Sequence, residues 1–312
     1  MGTRSGASRD RLLVSRDTLF SLDARKPAQP PESRADGFDD EEEGLMMQAK
    51  AEVGVFGGSG FYSFLEDVDE ITVDTPYGHP SDSYFVGDVN GIPVAFLPRH
   101  GRRHQLPPHM INYRANVWGM KDLGVKRIIG PCASGSLKKE VGLGHFVVCD
   151  QFVDRTWGRG DTFYDGPITT HVSSADPYCG DLRRVLVQTG RELGITVHDG
   201  GTVVVIQGPR FSTRAESKWF SAMGWDVINM TGYPEAYLAR ELELCYANIS
   251  LITDYDAGLA DDPTMPAVSH HDVVAAFNAN NERLRELLFK VIPRLSTEPD
   301  CGCGQALAGA RG

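Results

Sequence analysis

From Ala51 onward the chain alternates short apolar runs with longer stretches whose apolar positions recur every three or four residues. That alternation is the mark of strands interleaved with amphipathic helices. The pattern predicts strands over 53–56, 83–86 and 94–98, with Asn90-Gly91 turning the last two into a hairpin. A helix is predicted over 111–123, closed by Gly124, followed by strands over 127–129 and 146–153. Further on come a helix at 182–193 ending at Gly194, a β-branched strand at 203–207, a helix at 213–222 and a strand at 227–230. Helix 233–242, strand 247–253 and a long helix over 271–292 complete the series. Strands and helices in this order give an α/β protein: a single domain, with a mixed twisted β-sheet flanked by helices.

Residues 1–50 break the pattern. Three prolines fall between Lys26 and Arg34, and Asp39–Glu43 is an unbroken run of five acids. With no sustained apolar period, this extension is expected to be disordered. The domain is therefore placed at 51–296, and the small, polar residues 297–312 read as a flexible tail carrying a Cys301-Gly302-Cys303 motif. A lone CxC supports only a strained disulfide or weak metal binding, and an inert tail is the reading adopted, with Cys149, Cys179 and Cys245 as core residues.

Composition narrows the function classes. The 312 residues carry a net charge of -11, which repels nucleic acid and anionic lipid surfaces. No apolar run has the length to span a bilayer. Six cysteines are too sparse for a disulfide scaffold, and a cytoplasmic protein without nucleic-acid or membrane partners is expected.

Polar sets follow several predicted strands, where ligands sit in open α/β sheets. Gly57-Gly58-Ser59-Gly60 offers close backbone approach and a hydroxyl, which suits phosphate, although a plain tight turn explains it as well. Arg99-His100-Gly101-Arg102-Arg103-His104 concentrates cationic groups in an acidic chain; it reads as an anion site, against the alternative of a solvated loop. Gly130–Ser136 is a small, hydroxyl-rich segment after a strand. Asn229-Met230-Thr231 and Thr253-Asp254-Tyr255-Asp256 end two more strands, and the two carboxylates are able to bind amino groups or donate a proton if one pKa is raised. A phosphate cradle facing a carboxylate pocket implies phosphate, a nitrogenous base and cleavage of the bond joining base to sugar. His100 and His104 lie in a glycine-broken loop, so no metal site is expected there.

These blocks, with Asp74–Gly78, Asn112–Asn116 and Gly208–Ser217, resemble the trimeric purine nucleoside phosphorylase family, and within it the 5'-methylthioadenosine phosphorylases. The resemblance covers about residues 53–293. It implies a homotrimer that uses inorganic phosphate as co-substrate, without metal or organic cofactor. The implied reaction is reversible phosphorolysis of 5'-methylthioadenosine to adenine and 5-methylthioribose 1-phosphate. By the same resemblance Ser59, Arg99, His100, Ala133 and Thr231 form the phosphate site. Cys132 stands where animal members have threonine, which puts one phosphate contact in doubt. Met230 lies against the ribose, Phe211 and Ser212 line the purine, and Asn229 is counted among the substrate-binding residues. Asp254 is assigned to N7 as the catalytic acid and Asp256 to the 6-amino group, with the order of the two open.

The 5' substituent is the open question. Val273 and Val274 supply an apolar wall for a methylthio group, whereas His270 stands where 5'-hydroxyl-binding relatives have histidine. His171 matches a position that reaches the neighbouring subunit's pocket. The alternatives are a broader purine nucleoside phosphorylase acting on adenosine, 2'-deoxyadenosine or inosine, a nucleoside hydrolase, and a non-catalytic nucleoside-binding regulator.

Overall fold

The first strand, β1 (Val53–Gly57), is buried along its whole length, as befits a strand paired on both sides and covered on both faces. It belongs to a computed structural model of the chain that describes residues 50–57, 68–258, 268–295 and 298–311. Residues 1–49 of the N-terminal extension, and Gly58, Ser59 and Gly60 of the glycine-rich loop, lie outside the described residues. After β2 (Asp69–Ile71), β3 (Tyr84–Val89) and β4 (Ile92–Pro98) form the expected hairpin. Asn90 and Gly91 both have positive φ, 53° and 86°, the geometry of a primed two-residue turn.

Helix α1 (Tyr113–Asp122) starts on Asn112, whose side chain accepts from the Ala115 N–H. It leads to β5 (Arg127–Ser136), then β6 (Phe146–Val148) and β7 (Gln151–Arg155). Helix α2 (Gly180–Glu192) precedes β8 (Val197–Asp199) and β9 (Thr202–Ile206). Helix α3 (Arg214–Ala222) opens on a reciprocal capping box between Thr213 and Glu216. The series closes with β10 (Val227–Asn229), α4 (Gly232–Glu241), β11 (Cys245–Asp254) and the long α5 (His270–Val291).

The strands join in one mixed sheet, ordered β2-β3-β4-β1-β5-β10-β9-β7, with β11, β6 and β8 branching from β5. One core packs α1 and α4 on the sheet through Val117, Met120, Ala236 and Leu238. A second packs α2 and α5 through Leu182, Leu186, Leu284 and Leu287. Among the described residues no helix is long and apolar enough to cross a membrane.

The structure departs from the sequence pattern most at β5. Gly130-Pro131 reads as the end of a strand, yet the strand continues to Ser136 because β1 and β11 pair with it in parallel and β10 antiparallel. Gly130 leaves room that a side chain would fill: a Cβ there would come 2.1 Å from the Tyr246 hydroxyl oxygen. The segment predicted as one strand at 146–153 is two, turning at Cys149-Asp150. The C-terminal segment, expected to be mobile, is seated on the domain. Leu307 N–H donates to Glu243 Oε1 at 3.1 Å, His171 N–H donates to the Ala310 carbonyl at 2.8 Å, and Cys301 and Cys303 pack on the second core.

Candidate active site

Strand β5 acts as a ruler along the site. Arg99, directly beyond β4, reaches back to donate to the Pro131 carbonyl at 2.8 Å. Because β10 runs antiparallel to the last part of β5, the chain leaving it carries Thr231 to within 3.4 Å (Oγ1 to Sγ) of Cys132. Strand β11 runs parallel to β5, and an irregularity after Ile252 sets Asp254 opposite Gly135. Three residues of extended chain thus separate the Cys132 level from the Gly135 level, a span of about 10 Å. All these residues face a cavity of about 600 Å³, which also takes in His100, Met230, Asp256 and the start of α5.

Arg99 is 3% exposed and is held by Glu235, which is fully buried. Its Nε and Nη2 donate to the two carboxylate oxygens at 2.6 and 2.8 Å, a fork-to-fork pair. Glu235 Oε2 also accepts from the Tyr246 hydroxyl at 2.7 Å. With Nη1 on Pro131, three of the five guanidinium N–H groups are committed among the described residues.

His100 Nδ1 lies 2.8 Å from the Leu106 carbonyl, so it carries the proton and donates. Burial lowers the His100 pKa from 6.5 to about 4, with the Arg99 and His104 charges adding to the effect. The ring is therefore neutral at pH 7, with Nε2 as an acceptor. His104 stacks on it at 4.5 Å between centroids, and its own pKa is lowered by burial and by His270. The basic loop thus divides. Arg102 is exposed and spent on Asp82 and Glu70, which leaves Arg99 as the loop arginine that lines the cavity.

The two carboxylates differ sharply. Asp254 Oδ1 accepts from the Asp256 N–H at 2.8 Å and Oδ2 from the Thr253 hydroxyl at 2.8 Å. Asp256 is 3% exposed, at φ 50°, and its Oδ2 is buried without a hydrogen-bond partner among the described residues. Burial raises its pKa, while the Ser217 and Ser212 hydroxyls pull the other way. Asn229 Nδ2 is likewise buried without a hydrogen-bond partner among the described residues, so it and Asp256 Oδ2 have hydrogen-bonding capacity to spare.

At the remaining wall, His270, Val273, Val274 and Phe277 from α5 meet His104, whose ring centroid is 6.4 Å from that of His270. Phe211, Ala133 and Met230 line the interior. Ser212 and His171 do not line the cavity of a single chain.

The phosphorylase superfamily profile matches residues 52–293. The chain belongs to that superfamily. A purine nucleoside phosphorylase from Streptomyces coelicolor is 54% identical over 275 residues, covering 85% of this chain and 97% of the relative. An S-methyl-5'-thioadenosine phosphorylase from Mycolicibacterium smegmatis is 52% identical over 251 residues, covering 80% and 93%. Among solved structures, a single-site variant of the Schistosoma mansoni adenosine/methylthioadenosine phosphorylase in complex with methylthioadenosine superposes with a TM-score of 0.77. It is 36% identical and covers 84% of this chain and 99% of its own.

Within this superfamily fold, two supporting residues escaped the sequence reading. Glu235 sits on the buried face of α4, four positions after Thr231, and a buried acid on a predicted helix is the signal that marks it. Arg159 donates to the carbonyls of Gln207, Met230 and Tyr233 at 3.0, 2.9 and 2.5 Å, tying together the loops behind the cavity. Nothing local to its sequence announces that role.

Proposed function

We propose that this chain is a pentosyltransferase that catalyses the reversible phosphorolysis of 5'-methylthioadenosine, giving adenine and 5-methylthioribose 1-phosphate. The observation that carries this reading is the spacing along β5. A buried, fixed guanidinium held at Pro131 and a carboxylate pair at the Gly135 level of the same strand line one cavity, an arrangement that suits an anion and a base joined through a sugar.

In the proposed reaction, inorganic phosphate lies against Arg99, His100, Ala133 and Thr231. As the C1'–N9 bond lengthens, the sugar gains positive charge and the purine negative charge. Phosphate stabilises the first and then bonds to C1'. The carboxylate pair answers the second by supplying a proton to N7. Burial raises the Asp256 pKa, which favours it as the member that carries this proton, and its backbone N–H links it to Asp254. Unprotonated carboxylate oxygens accept from the 6-amino group, which favours adenine over 6-oxo purines. The chemistry calls on no resident metal or organic cofactor.

The chain is further proposed to work as a cytoplasmic homotrimer in which His171 enters the neighbour's pocket. Exposed Trp157, Met110 and Ile168 (74%, 61% and 56%) support a buried interface, since large apolar side chains in contact with solvent are costly. A second reading, a purine nucleoside phosphorylase of broader range, is favoured by His270 on the cavity wall and by the name of the Streptomyces relative.

Assays of methylthioadenosine, adenosine, 2'-deoxyadenosine and inosine, each with and without phosphate, test the proposal. Adenine release that depends on phosphate, with methylthioadenosine preferred, supports it. Phosphate-independent release would mean a hydrolase, and dominant inosine turnover would defeat the amino-pocket argument.

A further inference from the structure

Far from the cavity, four cysteines from three separate parts of the chain converge. Cys179 is the N-cap of α2, Cys245 is the first residue of β11, and Cys301 and Cys303 come from the seated C-terminal segment. Their four Sγ atoms all lie within 4.8 Å of one another. Cys301 Sγ is 3.7 Å from Cys179 Sγ and 3.3 Å from Cys245 Sγ. Those separations are well beyond an S–S bond of about 2.05 Å. They are close to the edge of a sulfur tetrahedron around a metal at about 2.3 Å, which is about 3.8 Å.

From this convergence we propose that Cys179, Cys245, Cys301 and Cys303 form a structural tetrathiolate site for a thiophilic d10 divalent cation, Zn2+ in the first place. Binding takes four thiols to four thiolates: each sulfur gives a lone pair to the metal, four protons leave to solvent, and no electrons are transferred. Cys179 and Cys245 are buried at 3% and 2% exposure, and Cys301 and Cys303 are half-buried. All four sulfurs are needed to complete the tetrahedron, which leaves no open position for a substrate; such closed sites are structural rather than catalytic. Arg127, Arg184 and Arg294 border the same spot, with Asp181 and Asp300, and the helix dipole at the start of α2 adds positive potential against the net negative charge of a tetrathiolate.

The site explains why the C-terminal segment is seated at all. Residues 298–311 contain few large apolar side chains, and a metal would clamp them to the first residue of β11. The other end of that strand is Asp254, nine residues or about 30 Å away, so the metal acts on stability and not on the chemistry.

The test uses the full chain purified anaerobically under reduction. We expect about one zinc per chain by elemental analysis, released when a mercurial reagent titrates the thiols. Cobalt(II) substitution is expected to give the intense visible absorption of a tetrahedral thiolate centre. The Cys301→Ser/Cys303→Ser variant is expected to lose the metal and about 10 °C or more in Tm, with kcat/KM at 25 °C held within about twofold. Intact mass of the unmodified protein provides a readout independent of any variant. Metal below about a tenth of an equivalent, with either four freely titrating thiols or two disulfides in their place, would overturn the proposal. Full zinc content in the double variant would overturn it equally.

Discussion

Arg99 and Glu235, 136 positions apart in the chain, are joined by two hydrogen bonds of 2.6 and 2.8 Å in the interior behind the cavity. Neither is free to move: Arg99 also holds Pro131, and Glu235 also holds Tyr246. A guanidinium fixed in this way offers its remaining N–H groups to an anion without an ordering cost at binding. Removing the counter-charge leaves a buried cation unpaired, a loss of about 3–5 kcal/mol. Glu235→Gln is therefore expected to lower stability by that order in urea unfolding and to raise the phosphate KM by about tenfold or more, with a smaller change in the nucleoside KM. An unchanged phosphate KM in a folded variant would show that the orientation of Arg99 is irrelevant to anion binding.

The carboxylates call for two different outcomes. If Asp254 accepts from the 6-amino group in the proposed site, Asp254→Asn puts a donor in place of that acceptor, so the preference for 6-amino over 6-oxo nucleosides should fall by about 10–100-fold. Asp256→Asn removes the carboxyl whose pKa burial raises. Its kcat should drop by about 10²–10⁴-fold, and the alkaline limb of the pH profile, where the native acid loses its proton, should disappear. Equal losses for all substrates in Asp254→Asn, or a retained alkaline limb in Asp256→Asn, would reject this division.

The residues that touch the cavity were legible because they cluster in short motifs at strand ends: Arg99-His100, Met230-Thr231 and Asp254 with Asp256. The residues that hold them were not. Glu235 and Arg159 act on partners far away in sequence, and a one-dimensional pattern carries no trace of such pairing. Strand β5 was cut short for a related reason: Gly130-Pro131 is a local breaker overridden by three pairing strands. Charge was misleading at Arg102, which looks identical to Arg99 in sequence but is committed to Asp82 and Glu70. The cysteine cluster was invisible because a CxC motif supplies only half of its ligands.

Acid should destabilise the protein through the two histidines of the segment after β4. His100 is neutral in the fold down to about pH 4, whereas the unfolded chain takes up that proton near 6.5. Between those values the unfolded state binds more protons, so stability declines as pH falls, by up to about 1.4 kcal/mol per pH unit for one such group. His104 adds to the effect in the same direction. Urea midpoints measured from pH 7 to pH 4 should therefore decrease, and His100→Gln should flatten the slope. The same slope in His100→Gln would assign the acid sensitivity elsewhere.

The proposed reading of the 5' substituent centres on one exposed histidine at the start of α5. His270 borders the cavity with Val273 and Val274, and its ring is 6.4 Å from His104. An imidazole there can hydrogen-bond a 5'-hydroxyl, an interaction of about 1 kcal/mol, but gains nothing from a methylthio group. Valine reverses both terms, because it lacks the hydrogen bond and adds apolar surface worth about 25 cal/mol per Å² buried. His270→Val is accordingly expected to raise the ratio of kcat/KM for methylthioadenosine to that for adenosine by about tenfold, mostly through lost adenosine activity. The phosphate KM, assigned in the proposed site to the residues around Arg99, should not move. If both nucleosides change together, His270 shapes the entrance rather than reading the 5' group, and discrimination then falls to Val273, Val274 and Phe277.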